Sequence, residues 1–269
     1  MAMLVKEAVA QLYASLGGPA DMALEGLVAG AENCQIASIA ACTVPSMNVL
    51  KAAAATGANL ILCDGHPFHL YDAVWSTQIS KPEIVLNAPA TVAKRAFIAE
   101  HGINIVRIRS AWESRHPLSA SLAFASQLHL GSPEPRADHV VCSVPGTTSL
   151  ALAASLVPRG FNGLRVVGAP TTRATRIGVK AGMLAPATLA GILRDPTIDM
   201  VIAGDAIEWE ATPYMEDVVA TGRSAALMLA GFDASMAPLG AHVAAWARTI
   251  FPDYPVLWLS QPDLVRDAA

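Results

Sequence analysis

The sequence predicts an α/β protein built from two related α/β domains facing each other across a cleft. Three observations predict it. Short apolar runs recur along the chain: "CQIASIAACTV", "NLILC", "INIVRI", "DHVVCSV", "LRVVGA", "MVIAG", "AALMLAG" and "VLWLS". Helical patterns such as "PSMNVLKAAAATG", "APATVAKRAFIAEHG", "APATLAGILRD" and "PLGAHVAAWARTIF" fall between several of them. Strands alternating with helices of that length give sheets that are at least partly parallel. Finally, the chain echoes itself. "ACTVPSMNVLKAAAATGANLILCDGH" lies over "AGMLAPATLAGILRDPTIDMVIAGDA", and "EHGINIVRIRSAWE" over "ATGRSAALMLAGFDAS", the mark of an internal repeat.

Taken in order, "MAMLVKEAVAQLYASLGG" reads as an amphipathic first helix closed by Gly17 and Gly18. Lys6 and Glu7 interrupt the apolar run that a signal peptide would need. The first set of strands and helices extends to about residue 130, and "GSPEPRAD" at 131–138 has the composition of a linker. The expected domains are therefore 1–130 and 131–269, with the last strand, "VLWLS", a candidate to return to the first. "VPGTTS" and "GVKAG" read as glycine-containing turns without phosphate-loop spacing.

Composition narrows the function classes. With 53% hydrophobic and 15% charged residues over 269 positions, a sizeable core is easily supplied. A net charge of −4, without any run of Lys or Arg, gives no footprint for nucleic acid or an anionic membrane surface. Mean hydropathy is high, at +0.42, yet no uninterrupted apolar stretch of ~18 residues appears, so no spanning helix is expected. The expected location is cytoplasmic. Cys34, Cys42, Cys63 and Cys142 show no CxxC spacing and mostly sit in apolar runs, as small buried hydrophobes do.

Ligands of open α/β sheets sit beyond the carboxyl ends of strands. That rule points to Asp64–His69, Arg109–Glu113, Asp205–Glu210 and Asp233. Asp64 and His66, just after "LILC", offer a carboxylate and an imidazole for acid–base work or metal binding. A helix cap with histidines at a solvated rim has the same look. His69 follows one turn later. Arg107 and Arg109 alternate along a strand and would point to one face, where they suit a carboxylate or phosphate. A half-exposed strand with charges outward shows the same pattern. Glu208 and Glu210 are candidate acids in a pattern that surface helices also show. No Gly-x-Ser-x-Gly elbow, His-Glu-x-x-His helix or dinucleotide fingerprint occurs.

The order of these pieces resembles the NIF-three-like family of toroidal proteins with a dinuclear metal centre. The resemblance covers most of the chain and is most specific in "TVPSMNVLKAAAATGANLILCDGHPFH", "GDAIEWEATPYMEDVVATGRSAALMLAGFDAS" and "LGAHVAAWARTIFPDYPVLWLSQPDL". One branch of the family carries His-Glu-Pro-Thr-Phe-Tyr, then Arg-Phe-His-Asp-x-Trp, then Gly-His-x-x-Ser-Glu at these places. Scaffold positions match, among them Gly57, Asn59, Phe68, Arg107, Trp112, Gly204, Glu208, Tyr214, Ser235, Gly240 and Trp246. Ligand positions do not. Asp64, or His66 with a shift, stands for the first His; Arg109 and Ser110 replace His-Asp; Phe232 and Met236 replace the last His and Glu.

The resemblance implies a homo-oligomer, from dimer to hexamer, and the substitutions imply that the family's metal pair is lost and no cofactor is held. The leading expectation is a metal-independent enzyme for a small, anionic, partly apolar organic molecule. In it Asp64, His66 and Glu208 do the acid–base work, while Arg109, Phe232, Met236 and His69 line the substrate. A non-catalytic scaffold or binding oligomer, and a remodelled metalloprotein using Asp64, His66 and His69, with Glu208 or Asp233 as a further candidate ligand, are the alternatives.

Overall fold

Runs of leucine, isoleucine, valine and alanine, bounded by glycine, proline and acids, form the strands of two sheets. The computed structural model describes residues 2–18, 24–69, 82–161, 163–169 and 171–260. Two compact units result, Met1–Pro117 with Gly240–Pro262, and Leu118–Leu239. No helix among the described residues is long and apolar enough to cross a membrane.

In chain order the elements are α1 (Val5–Leu16), β1 (Gly26–Ala29), β2 (Ile39–Cys42), α2 (Met47–Thr56), β3 (Leu60–Cys63), α3 (Pro82–Leu86), α4 (Pro89–Glu100), β4 (Asn104–Arg107) and α5 (Arg109–Arg115). Then come α6 (Ser119–Leu128), β5 (Glu134–Pro135), β6 (Val140–Thr148), α7 (Ser149–Leu156), β7 (Arg165–Gly168), β8 (Arg173–Leu184), α8 (Pro186–Leu193), β9 (Met200–Ala206), α9 (Glu208–Ala220), β10 (Ala226–Leu229), α10 (Phe232–Ile250) and β11 (Val256–Trp258).

The first sheet has the order β1-β4-β3-β2-β11, parallel except for β1. β2, β3 and β4 are fully buried, which explains why they read as continuous apolar runs. Ser46 caps α2, its Oγ accepting from Val49 N, and Gly57 closes it in the left-handed region at φ +75°. β11 pairs in parallel with β2, so the end of the described chain joins the first sheet.

The second sheet has the order β5-β6-β8-β9-β10-β7. β8, β9 and β10 run parallel, and β7 lies antiparallel on β10. β2, β3, β4 and antiparallel β1 have this same arrangement, so the two halves that echo each other in sequence also share a topology. β8 is the longest strand and was not expected. The "GVKAG" read as a turn lies inside it, with Gly182 (φ +72°) at a register shift between Lys180 and Met183. The boundary expected at 130/131 is also displaced. α6 belongs to the second unit: Phe124 and Leu128 are buried, and Ser121 Oγ accepts from Ala181 N of β8 at 3.1 Å. The stretch expected as a linker instead supplies β5, paired with β6.

Candidate functional site

The candidate residues fall in both units. Asp64, His66, His69 and Arg109 belong to the first, and Glu208, Phe232 and Met236 to the second.

In the first sheet the parallel register sets Cys63 opposite Arg107, and Ile108 N donates to Cys63 O at 3.0 Å. Asp64 and Arg109 therefore follow the carboxyl ends of neighbouring strands, whose axes lie ~4.8 Å apart. Arg107 and Arg109 do not share a face, contrary to the expectation from their alternation, because the strand ends between them. Arg107 is 1% exposed; its Nε donates to Asp64 O (2.7 Å) and its Nη1 to Leu24 O (3.0 Å), 3.8 Å from Glu25 Oε1. Tyr13 closes the network, its hydroxyl donating to Arg107 O (2.6 Å) and accepting from Gly26 N (2.7 Å). Ser110 N donates to Glu25 Oε1 at 2.9 Å. Burial pushes the Glu25 carboxyl above its ordinary range, against the pull of the Ser110 N–H and the Arg107 charge. Arg109 instead opens α5, with its side chain 37% exposed and its Nε 3.3 Å from Glu113 Oε1.

The described residues that follow β3, 64–69, are held at several points. Asp64 N and Gly65 N donate to Thr43 O at 3.2 and 2.8 Å, and a Cβ on Gly65 would come within 2.8 Å of Val44 Cγ2. Lys94, buried on α4, donates from Nζ to Pro67 O at 2.5 Å, and burial lowers its pKa. His66 is buried, its Nδ1 accepts from Phe68 N at 3.2 Å, and its ring meets that of Phe68 edge-on at 5.9 Å. That bond favours the tautomer protonated on Nε2. Asp64 is half-buried and His69 exposed, with a left-handed backbone at φ +57°.

Sequence reasoning missed Lys94, Glu25 and Tyr13. Lys94 was legible, since Thr91, Lys94 and Ile98 are the buried face of α4 at helical spacing. Glu25 stands in no pattern, and Tyr13 reads as one more residue on the apolar side of α1. Cys63, next to Asp64, is buried with its thiol pushed well up, and Cys42 is pushed up to about 12. Neither is primed as a nucleophile.

In the second unit, Gly231 N donates to Gly204 O at 2.7 Å, bringing the start of α10 beside the carboxyl end of β9. Met236 is buried and Phe232 half-buried. A Cβ on Gly182 would meet Met236 Sδ at 3.3 Å and Phe232 Cε2 at 3.6 Å, so both side chains lie against that glycine. Glu208 opens α9, exposed, with its Oε1 bound to Arg165 Nη1; Arg165 Nη2 is 3.6 Å from Asp205 Oδ1.

These residues do not fit a dinuclear metal centre. Arg109 is a permanent cation, Phe232 and Met236 offer no hard donor, and His66 Nδ1 is engaged by a backbone N–H. Among the described residues, no three His, Cys, Asp or Glu side chains group so as to hold a metal ion.

No family model and no curated protein matches the sequence. The structure is similar to several solved ones. Staphylococcus aureus hypothetical protein SA1388 superposes with a TM-score of 0.77 at 12% identity, over 99% of this chain and 100% of that one. A Bacillus cereus protein related to NIF3 gives 0.74 at 10% identity, over 98% of each chain. Reduced HcgD from Methanocaldococcus jannaschii gives 0.65 at 14%, over 97% and 99%. At such identities the likeness is one of fold.

Proposed function

We propose that this chain, which has the fold of NIF3-related proteins, acts without a metal on a small, anionic, partly apolar organic molecule. Arg109 holds the anion, and Asp64 and His66 handle the proton. The supporting observation is that two buried cations, Arg107 and Lys94, bind the carbonyls of Asp64 and Pro67 and so fix the loop beside Arg109. Such bonds preorganise the loop side chains that would meet a substrate. His66, with Nδ1 engaged, exchanges its proton at Nε2. The Arg109–Glu113 pair is exposed and worth only about 0.2–1 kcal/mol. A substrate carboxylate in a drier setting can displace Glu113, gaining about 1.5–3 kcal/mol. Proton transfer of this kind serves hydrolysis, isomerisation or elimination. One observation favours a second reading, a binding protein without turnover: Glu208, the remaining candidate acid, is tied to Arg165.

Calorimetric titration with benzoate, phenylpyruvate and succinate tests the site. Arg109→Ala is expected to weaken whichever acid binds by about ten- to hundredfold, with little change in melting temperature. Binding of all acids unaffected by Arg109→Ala would sink the proposal. Elemental analysis of untagged protein is expected to find fewer than two transition-metal ions per chain. Two zinc, iron or manganese ions, removed by His66→Ala, would make the remodelled metalloprotein the right description.

A further inference from the structure

A groove of about 460 Å³ lies in the first unit between β1 and α4. Phe68, Ile98 and Ile103 are buried residues of its lining, and Val28 and Ala29 contribute a side wall. Its size is that of a small-ligand site, and its lining is apolar as such sites are. Among its described lining residues, Arg95 carries the permanent charge: exposed on α4, it has its guanidinium carbon 5.0 Å from the centroid of the Phe68 ring. Asn104 adds no competing polarity, since its Oδ1 accepts from Ala31 N and its Nδ2 donates to Asn59 O and Gly102 O. An apolar groove with Arg95 at it suits an apolar body carrying a carboxylate. We infer that this groove binds a small apolar monocarboxylic acid, with Arg95 as its anion contact. None of its described lining residues is one assigned to the site built on Arg109, and the inference does not depend on that reading.

Cys34 supplies a reporter. It lines the groove and is half-buried, whereas Cys42, Cys63 and Cys142 are buried. Iodoacetamide, being neutral, is not steered by Arg95, and alkylation is followed by intact mass and peptide mapping. Naphthoate is expected to slow alkylation of Cys34 about tenfold at saturation, and naphthamide, its neutral counterpart, to need about tenfold more ligand for the same effect. Arg95→Gln should erase that difference, and Ala99→Trp, which fills the slot from an exposed helix position, should erase protection altogether. Arg109→Ala should change neither result. Cys34 that never reacts in the folded protein, no protection by naphthoate, or equal protection by acid and amide would each overturn the inference. Protection lost in Arg109→Ala but kept in Arg95→Gln would do so as well, by assigning the acid to the strand-end site.

Discussion

Replacing Arg107 by alanine is expected to destabilise the first unit by about 3–5 kcal/mol, the cost of leaving one member of a buried ion pair behind. Glu25 would lose its cation, and the carbonyls of Asp64 and Leu24 would lose their donors. Urea unfolding measures the effect. Arg107→Lys keeps the charge but not the planar fork that serves several partners at once, so it should restore only part of the loss. Arg107→Met combined with Glu25→Gln removes both charges and should cost much less than Arg107→Ala alone. An Arg107→Ala cost below about 1 kcal/mol, the range of an exposed pair, would show that this network does not hold the loop. The pH dependence has a definite sign. The Glu25 carboxyl is raised above its ordinary 4.5 in the folded chain, chiefly by burial. Between 4.5 and the raised value, the folded chain keeps a proton that the unfolded chain has lost. The stability contributed by this group is therefore complete below 4.5 and fades as pH rises through the folded value. Glu25→Gln should remove that slope, making the variant's stability less dependent on pH between mildly acidic and neutral solution.

Much of the scaffold was legible because the core strands are short apolar runs. β3 and β9, buried on both faces, stand out as "LILC" and "MVIAG". β8 was hidden because Arg173, Arg176, Lys180 and two glycines break up its apolar residues, and its buried positions follow no strict alternation. β1 and β5, with four and two residues, are too short to show a period. The loop Asp64–His69 was visible as chemistry at a strand end. What holds it was not, because Arg107 bonds to carbonyls 43 and 83 residues away. Alternation put Arg107 and Arg109 on one face, and only the end of β4 separates them. Gly204 and Ser235 were matched as scaffold positions without a reason. The structure gives one: Gly204 packs directly on the Ser235 hydroxyl and the Gly182 backbone.

Gly204→Ala is expected to destabilise the second unit at or above the upper end of the roughly 1–3 kcal/mol typical of overpacking. A Cβ there would stand 2.7 Å from Gly182 O and 3.0 Å from Gly182 N, and would collide with Ser235 Oγ. The hydroxyl belongs to a fully buried side chain that accepts from Gly182 N at 3.0 Å and donates to Phe232 O at 2.8 Å. The chain at Gly182 is already in the left-handed region, with Met236 and Phe232 against it. It cannot give way without moving those two side chains. Ser235→Ala alone leaves the Gly182 N–H buried without its acceptor, at a cost of about 1–3 kcal/mol. The double variant Gly204→Ala/Ser235→Ala separates the two obstacles, because it removes the hydroxyl and leaves the carbonyl. Chemical denaturation should find the double variant clearly less stable than Ser235→Ala, since Gly182 O still meets the added methyl. Equal stability of the two would mean that β8 yields at its bulge, and that the contact between β8 and β9 does not fix Phe232 and Met236.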